Sequence, residues 1–228
     1  MELLKEEFRG WKKWELIWLS FCIAVIIGIS LWIGDSVIGI VCAVAGVTNV
    51  VCTGKGKLMS YFFGLINVVL YAIVSYNAKY YGEVMLNVIY YLPMQFYGFF
   101  QWKKNMNSET HEVKKLKMTV KGRIILTAVI VALTVAYGIV LSLLGGNMPF
   151  VDAFSTVASV VALYIAIKMY IEQWMIWLVV DMVTVVMWAF AFANGTDSVA
   201  TLIMWALYIA NAVVMHIKWS KEIKGQKI

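Results

Sequence analysis

A single aspartate stands within an apolar run of the chain, WMIWLVVDMVTVVMW at residues 174–188. The aromatic and polar members of this run recur at intervals of three and four residues, so on a helix they share one face: Trp174, Trp177, Asp181, Thr184 and Trp188. The remaining positions are Met, Ile, Leu or Val. An indole face attracts cations, most strongly where water is excluded. The run therefore predicts a helix with lipid on one side and a polar or cationic group on the other.

Asp181 and the tryptophans also admit purely structural interpretations. A charge in hydrocarbon costs about 3 kcal/mol by insertion scales, so such a group normally faces a cavity or a partner. Asp181 either contacts a substrate or ion, or holds neighbouring helices together as a protonated or amide-paired acid. Trp174 lies near the end of the run, where tryptophan often anchors a helix at the membrane interface. Trp177 lies deeper, which favours contact with a ligand.

Amides and aromatic hydroxyls recur at helical spacing in three other apolar stretches. Together they suit a pocket for a planar molecule with hydroxyl groups, because amides select by hydrogen bonds and rings by stacking. Asn49 and Asn87 are more simply explained as helix–helix hydrogen bonds. The predicted substrate-binding residues are Asn67, Tyr71, Tyr91, Gln95, Trp177, Asp181, Thr184, Trp188, Tyr208 and Asn211.

The composition places the whole chain in a membrane. Of its 228 residues 62% are hydrophobic and only 14% are charged, with a mean hydropathy of +0.81. Apolar stretches recur at about the 20-residue length that a bilayer requires. They predict an all-α polytopic membrane protein with eight spans, at about 14–33, 36–53, 58–76, 83–102, 122–143, 150–168, 174–193 and 197–218.

The distribution of Lys and Arg predicts the orientation of these spans. With eight spans and the N-terminus inside, every basic residue except Lys79 falls on the inner side. Both termini are therefore predicted to be cytoplasmic. Anionic lipid of the inner leaflet is sufficient to explain the net charge of +6, so no nucleic-acid partner is expected.

Rare residue types repeat along the chain at an interval of 117 residues. The interval relates Asp35 to Asp152, Tyr71 to Trp188, Asn77 to Asn194, Tyr91 to Tyr208 and Trp102 to Trp219. The copies would be spans two to four and spans six to eight. They begin an even number of spans apart, so they point the same way, as in parallel transporter repeats with a substrate site between them near mid-membrane.

The repeat predicts a domain organisation around a linking fifth span, with the first span as an extra helix. The predicted segments are an N-terminal cytoplasmic stretch with the extra helix at 1–34, the first repeat at 35–104, a cytoplasmic loop and linker helix at 105–148, the second repeat at 149–219, and a cytoplasmic tail at 220–228.

The sequence lacks the motifs of several other classes of function. The stretch NVVCTGKGK at 49–57 fails the phosphate-loop pattern, which needs Gly at position 49 and Ser or Thr at position 56. Cys22, Cys42 and Cys52 fall in predicted spans without metal-ligand spacing, which indicates packing residues. No nucleophile–base set is visible, so we expect neither an enzyme nor a metal or cofactor site.

Five short stretches together resemble the PnuC family of vitamin transporters, which is best known for nicotinamide riboside. They are KGKLMSYFFG (55–64), LYA (70–72), YGE (81–83), PMQFYGFFQW (93–102) and WMIWLVVD (174–181). The resemblance extends over residues 35–219. It implies a core of three, one and three helices related in architecture to SWEET transporters. It also implies homotrimers in the bacterial inner membrane and facilitated diffusion, with intracellular phosphorylation trapping the vitamin for NAD biosynthesis.

The resemblance also gives the predicted pocket residues specific partners. Nicotinamide riboside is a planar pyridinium cation with a neutral ribose. The resemblance implies that tryptophan and tyrosine rings stack on the pyridinium. It also implies that the amides of Asn67, Gln95 and Asn211 bond the carboxamide or the ribose of the ligand. Asp181 matches the acidic position of the family motif, and either touches the ligand or orients its neighbours.

Three alternatives remain open at the level of sequence. Related groups of the family carry thiamine or riboflavin, which are also flat aromatic vitamins. A membrane sensor or assembly subunit would need no central pocket. An intramembrane enzyme would need a nucleophile–base pair or a metal cluster, which the sequence does not show.

Overall fold

The computed structural model describes residues 7, 10–78, 80–107, 112–143, 149–193 and 199–225. Lys79 and Asn194, which entered the predictions of orientation and repeat, lie outside these residues, as does the side chain of Asp152. The described chain is helical apart from turns, loops and isolated β-bridges. The predicted all-α class is confirmed.

The helices begin and end close to the limits predicted from hydropathy. They are α1 (Lys13–Ile33), α2 (Val37–Lys55), α3 (Met59–Asn77), the short pair α4 (Tyr81–Met85) and α5 (Leu92–Lys104), α6 (Val120–Leu143), α7 (Pro149–Ile167), α8 (Gln173–Ala193) and α9 (Val199–Gly225). Within the described residues, 7 helices are long and apolar enough to cross a membrane. The chain is therefore a multi-pass membrane protein.

The fourth predicted span does not form one regular α-helix. A π-helical turn, Leu86–Tyr91, connects α4 to α5, and the backbone N–H of Leu92 bonds the carbonyl of Asn87 five residues earlier. Pro93 follows directly and has no N–H to donate, so the regular bond to the carbonyl four residues earlier is lost there. The interruption explains why span four is absent from the 7 uninterrupted crossing helices. The prediction of eight spans stays a prediction.

Local caps explain where α2 begins and ends. The Ser36 hydroxyl accepts a hydrogen bond of 3.0 Å from the N–H of Gly39, which satisfies one of the free donors of the first turn. Gly56 ends the helix with φ at +81°, a conformation that favours glycine. The KGK stretch is thus a tight helix-ending turn.

The chain divides into two compact units, Met1–Lys114 with Thr184–Asn211 and Lys115–Val183 with Ala212–Ile228. In the first unit α2 packs against α1 and α3, and α3 packs against α5. The ends of these helices are joined by a buried ionic group, in which Lys55 lies 3.1 Å from Glu15 and 2.9 Å from Glu112. The Lys55 ammonium also donates to the carbonyl of Gly10 at 2.6 Å.

In the second unit α6 packs against α7. The segment before α6 is held to this unit by charged side chains. Glu172 accepts from the Arg123 Nε at 2.8 Å and from the backbone N–H of Met118 at 3.2 Å. Lys115 lies 2.9 Å from Glu222. These two units are not the segments predicted from the repeat, whose boundaries stay a prediction.

Candidate functional site

Five aromatic side chains form one cluster in the first unit, which we call the aromatic cluster: Tyr71, Tyr80, Trp188, Trp205 and Tyr208. Tyr71 lies at its centre, with its ring centroid 5.8 Å from that of Trp188 and 5.7 Å from that of Trp205. Tyr208 extends the cluster from Trp205 at 5.1 Å, and Tyr80 extends it from Trp188 at 5.3 Å. The residues come from α3, α8, α9 and the turn before α4.

Hydrogen bonds fix the orientation of the cluster. The Trp188 indole N–H donates to the Tyr71 hydroxyl at 2.8 Å, and the Tyr80 hydroxyl donates to the carbonyl of Met187 at 3.1 Å. Tyr71 and Trp188 are 3% and 1% exposed. A buried indole or phenol usually needs such a partner, so this pair is a rigid, preorganised element.

Asn67 lies beside the cluster and is held by α2. Its amide nitrogen donates to the backbone carbonyl of Cys42 at 3.0 Å and lies 3.5 Å from the sulfur of Met204. The Asn67 amide nitrogen, the Tyr208 hydroxyl and the Met204 sulfur all approach the backbone of Gly46. An amide and a phenol from two different helices therefore meet at one point of α2.

Gln95 meets a second glycine. Its side-chain oxygen lies against Gly64 on α3, on the side where Asn49 of α2 also approaches. Gln95 is 8% exposed, and it belongs to α5, directly after the π-helical turn. The sequence-predicted amides of α3 and α5 are both packed against glycine backbone within the first unit.

Asn211 and Thr184 are buried in the first unit, at 2% and 3% exposure. The Asn211 amide oxygen accepts from the Trp18 indole at 3.3 Å, and its nitrogen donates to the carbonyl of Val50 at 3.3 Å. These bonds join α9 to α1 and α2. One amide hydrogen and one lone pair remain for the ligand contact predicted for Asn211.

Asp181 and Trp177 belong to the second unit. Asp181 is 2% exposed, and its Oδ1 has no hydrogen-bond partner among the described residues. Trp177 is half-buried. Trp174, for which an interfacial anchor was one interpretation, is buried and packs edge-on against Trp219 with centroids 5.6 Å apart.

Tyr91 is half-buried at the end of the π-helical turn, where its ring contacts the neighbouring Tyr90 at 5.8 Å. Its predicted stacking role stays a prediction.

Sequence reasoning missed three contributors to this region. Tyr80 stands outside any periodic stretch, so helical spacing gave no signal for it. Gly46 is readable in the sequence only as one of the small residues of span two that let helices pack closely. Gly64 offers no side chain to interpret, and the polar contacts at both glycines appear only once the helices are packed. Among the described residues, no group of His, Cys, Asp or Glu is arranged to hold a metal ion.

The side chains of the cluster and of the amides beside it carry no charge. They present phenol, indole and carboxamide groups, which bind flat rings by their faces and neutral polar groups by hydrogen bonds. The described first-unit residues that form this region are Asn67, Tyr71, Tyr80, Trp188, Trp205 and Tyr208. Gln95 lies against Gly64, one helix turn before Asn67 on α3. Such a lining suits an aromatic molecule with hydroxyl or amide substituents better than a phosphate.

Comparison with known proteins agrees with this chemistry. Residues 36–221 match the family model described as nicotinamide mononucleotide transporter. The chain is similar to the nicotinamide riboside transporter PnuC of Neisseria mucosa, with 41% identity over 96% of this chain and 86% of that protein. It is similar to the Haemophilus influenzae protein of the same name, with 33% identity over 97% of this chain and 96% of that protein.

A solved structure shows the same fold. The crystal structure of the vitamin B3 transporter PnuC superposes with a TM-score of 0.89 at 40% sequence identity, covering 98% of both chains.

Proposed function

Because the chain belongs to the nicotinamide mononucleotide transporter family, we propose that it carries nicotinamide riboside across the bacterial inner membrane. It is a multi-pass membrane transporter and not an enzyme. The observation that carries the choice of substrate is the uncharged aromatic cluster centred on the hydrogen-bonded pair Tyr71 and Trp188. The curated relatives named for the riboside, at 41% and 33% identity, support the same choice.

The riboside fits the cluster better than the mononucleotide of the family model's name. The mononucleotide carries a phosphate, which proteins normally bind with Arg, Lys or a helix N-terminus. Tyr71, Trp188 and Asn67 offer none of these groups, whereas they match a pyridinium ring and a carboxamide. The same argument supports retention of the substrate in the cell, because the product of phosphorylation would be bound poorly on the return path.

The substrate site that we propose combines the residues predicted from sequence. The rings of Tyr71, Tyr91, Trp177, Trp188 and Tyr208 contact the pyridinium. Trp205, which packs against Tyr71 and Tyr208, supports them. The polar groups of Asn67, Gln95, Thr184 and Asn211 bond the carboxamide and ribose, and Asp181 balances the charge of the ring. A cation–π contact contributes about 1–2 kcal/mol in a dry site. Moderate affinity of this kind suits a carrier that must release its substrate.

The mechanism that we propose is facilitated diffusion by rocking of two parallel repeats, with spans two to four and six to eight as the copies around span five. In this proposal the broken helix Tyr81–Lys104 is the eighth crossing, both termini are cytoplasmic, and three copies of the chain form a homotrimer. The basic residues of the turns support the orientation, and the contact between Tyr71 and Trp188 at the repeat interval supports the repeat.

Uptake by purified protein in sealed vesicles tests the function. We expect labelled nicotinamide riboside to equilibrate across the vesicle membrane without an ion gradient. Unlabelled riboside should compete, and the mononucleotide should not. Competition by thiamine or riboflavin instead would reassign the substrate within the family. Vesicles that accumulate none of these vitamins, while the protein still binds one, would indicate a sensor and overturn the proposed transport.

A further inference from the structure

We propose that Gly46 and Gly64 are positioning residues of the substrate site, each of which holds polar side chains in place by the absence of its own. The inference rests on the proposed function, because the side chains concerned, Asn67, Tyr208 and Gln95, are part of the proposed site. Neither glycine lies at a helix end or has a left-handed backbone conformation that would explain it.

The space at Gly46 is filled by three side chains. A Cβ placed there would lie 2.6 Å from the Asn67 amide nitrogen and 2.6 Å from the Met204 sulfur, and would also overlap the Tyr208 hydroxyl. Cβ atoms do not approach other atoms this closely in protein structures. The carbonyl of Cys42, one turn earlier on α2, accepts the Asn67 amide hydrogen at 3.0 Å. Consequently, α2 offers Asn67 both an acceptor and the room to reach it.

The space at Gly64 is filled in the same way. A Cβ there would lie 2.5 Å from the side-chain oxygen of Gln95 and 3.3 Å from the Asn49 amide carbon. Gly64 lies one turn before Asn67 on α3, and Gly46 on α2 is in contact with the Asn67 amide. Both glycines are therefore close to Asn67. Two glycines on adjacent helices therefore set the positions of amides from α3 and α5.

The proposed repeat gives this arrangement a counterpart. At the 117-residue interval Gly64 corresponds to Asp181, and Gln95 corresponds to Ala212. The first copy has the small residue on its middle helix and the large polar residue on its last helix, and the second copy has the reverse. Each copy thus has one buried polar side chain at these two positions, and in the first copy Gln95 lies directly against the small residue. Gly64 is thus the partner that Gln95 needs.

An alanine at either glycine would disturb the site more than the fold. The atoms nearest to the added methyl group at Gly46 are the ends of Asn67, Met204 and Tyr208, which can turn aside without moving a helix. Alanine is also the better helix former. We therefore expect the alanine variants to stay folded while their polar groups no longer meet the ligand in the right place.

The test compares Gly46→Ala and Gly64→Ala with two matched controls in purified full-length protein. A Cβ at Gly28 on α1 meets nothing within 4 Å, and a Cβ at Gly138 on α6 meets the ring of Phe150, which is outside the proposed site. We expect the two site variants to bind nicotinamide riboside about tenfold more weakly, the effect of misplacing one or two hydrogen bonds. Thermal unfolding should stay near that of the wild type, and both control variants should bind normally.

A double variant separates positioning from general damage. Tyr208→Phe removes the hydroxyl that overlaps an added Cβ most closely. In that background Gly46→Ala should weaken binding less than it does in the wild type. The inference would be overturned if Gly46→Ala weakened binding by the same factor in both backgrounds, or if the two site variants bound as well as the controls. Either result would leave the proposed function intact. A wild-type protein that carries no nicotinamide riboside would overturn the function instead.

Discussion

Trp188 donates its indole hydrogen to the hydroxyl of Tyr71 over 2.8 Å, across 117 positions of sequence. The same interval relates the two copies of the proposed repeat. Residues that correspond in two copies meet only where the copies come together, at the axis that relates them. The Tyr71–Trp188 pair therefore marks the place where a parallel repeat would put a central substrate site.

Tyr71→Phe is expected to weaken binding of nicotinamide riboside by about fivefold, because loss of one hydrogen bond leaves the Trp188 indole free to tilt. Trp188→Phe should have a similar or larger effect, since it also removes indole surface. Titration of the remaining tryptophan fluorescence with the riboside measures both. The double variant should cost little more than Trp188→Phe alone, because both changes remove the same bond.

A variant at another aromatic pair of the first unit provides the comparison. Tyr61 packs edge-on against Trp102 with centroids 5.2 Å apart and lies outside the proposed site. Tyr61→Phe should leave the affinity unchanged. Additive losses for Tyr71→Phe and Trp188→Phe would show that the two residues act on the ligand separately and not as a pair.

Asp181→Asn distinguishes a charge-balancing residue from a helix staple. The substitution keeps the shape of the side chain and removes its negative charge. If the carboxylate faces the pyridinium, affinity for the cationic riboside should fall by about tenfold or more, as expected for a charge partner in a dry site. Affinity for the reduced, uncharged riboside should hardly change. Binding isotherms for the two forms of the ligand provide the measurement.

The competing interpretation of Asp181 predicts a different pattern. A carboxyl group that only joins helices would, when changed, lower the midpoint of thermal unfolding and affect both forms of the riboside equally. Thr184→Ala removes a neutral group of the proposed site on the same face of α8, so it should weaken binding of both forms of the riboside equally. A ratio of affinities that does not change in Asp181→Asn would exclude the charge-balancing role.

Much of the architecture was readable from the sequence because hydrocarbon imposes a simple requirement. Each crossing must satisfy its backbone internally and present apolar side chains over a fixed length, so hydropathy alone located the long helices. The polar face of α8 was readable for the same reason. Membership of the vitamin-transporter family, which the motifs around Gln95 and Asp181 indicated, is confirmed by the comparisons.

The arrangement inside the membrane was less readable. Periodicity tells which face of a helix a residue occupies, but it does not tell which helix packs against that face. Hence nothing in the sequence indicated that Tyr80 contacts Trp188, or that Asn211 bonds Trp18 and the carbonyl of Val50. The π-helical turn was hidden because hydropathy reads length and not hydrogen-bond register. The substrate contacts of the predicted residues stay a prediction.

Asp35 is expected to stabilise the fold through two backbone groups. Its carboxylate oxygens accept from the N–H of Ser36 and from the N–H of Ala200, each at 2.6 Å. Ala200 lies in the first turn of α9, where backbone donors lack helical partners and the helix dipole favours a negative charge. Asp35→Ala should lower the free energy of unfolding by about 1–2 kcal/mol.

Thermal unfolding in detergent would measure this loss, with Ser36→Ala as a neighbouring cap that serves α2 only. Asp35→Asn keeps one acceptor oxygen and should fall between the wild type and Asp35→Ala. An unfolding midpoint for Asp35→Ala equal to that of the wild type would show that the link to α9 contributes nothing to stability.

Lys55 is expected to be among the most sensitive residues of the first unit for stability. It is 4% exposed, lies 3.1 Å from Glu15 and 2.9 Å from Glu112, and donates to the carbonyl of Gly10. Removal of one member of a buried ionic group leaves its partners charged without compensation, at a cost of about 3–5 kcal/mol. Lys55→Met retains the bulk of the side chain and should therefore lower the unfolding midpoint strongly.

If Lys55 stabilises the fold through its charge, a second substitution should partly reverse the loss. Glu15→Gln in the Lys55→Met background removes one of the uncompensated carboxylates, so it should restore part of the lost stability, whereas Glu15→Gln alone should destabilise. Lys104, exposed at the end of α5, supplies the control: Lys104→Met should unfold like the wild type. A double variant less stable than Lys55→Met would mean that Lys55 acts by packing its stem and its bond to Gly10, and not by pairing with Glu15.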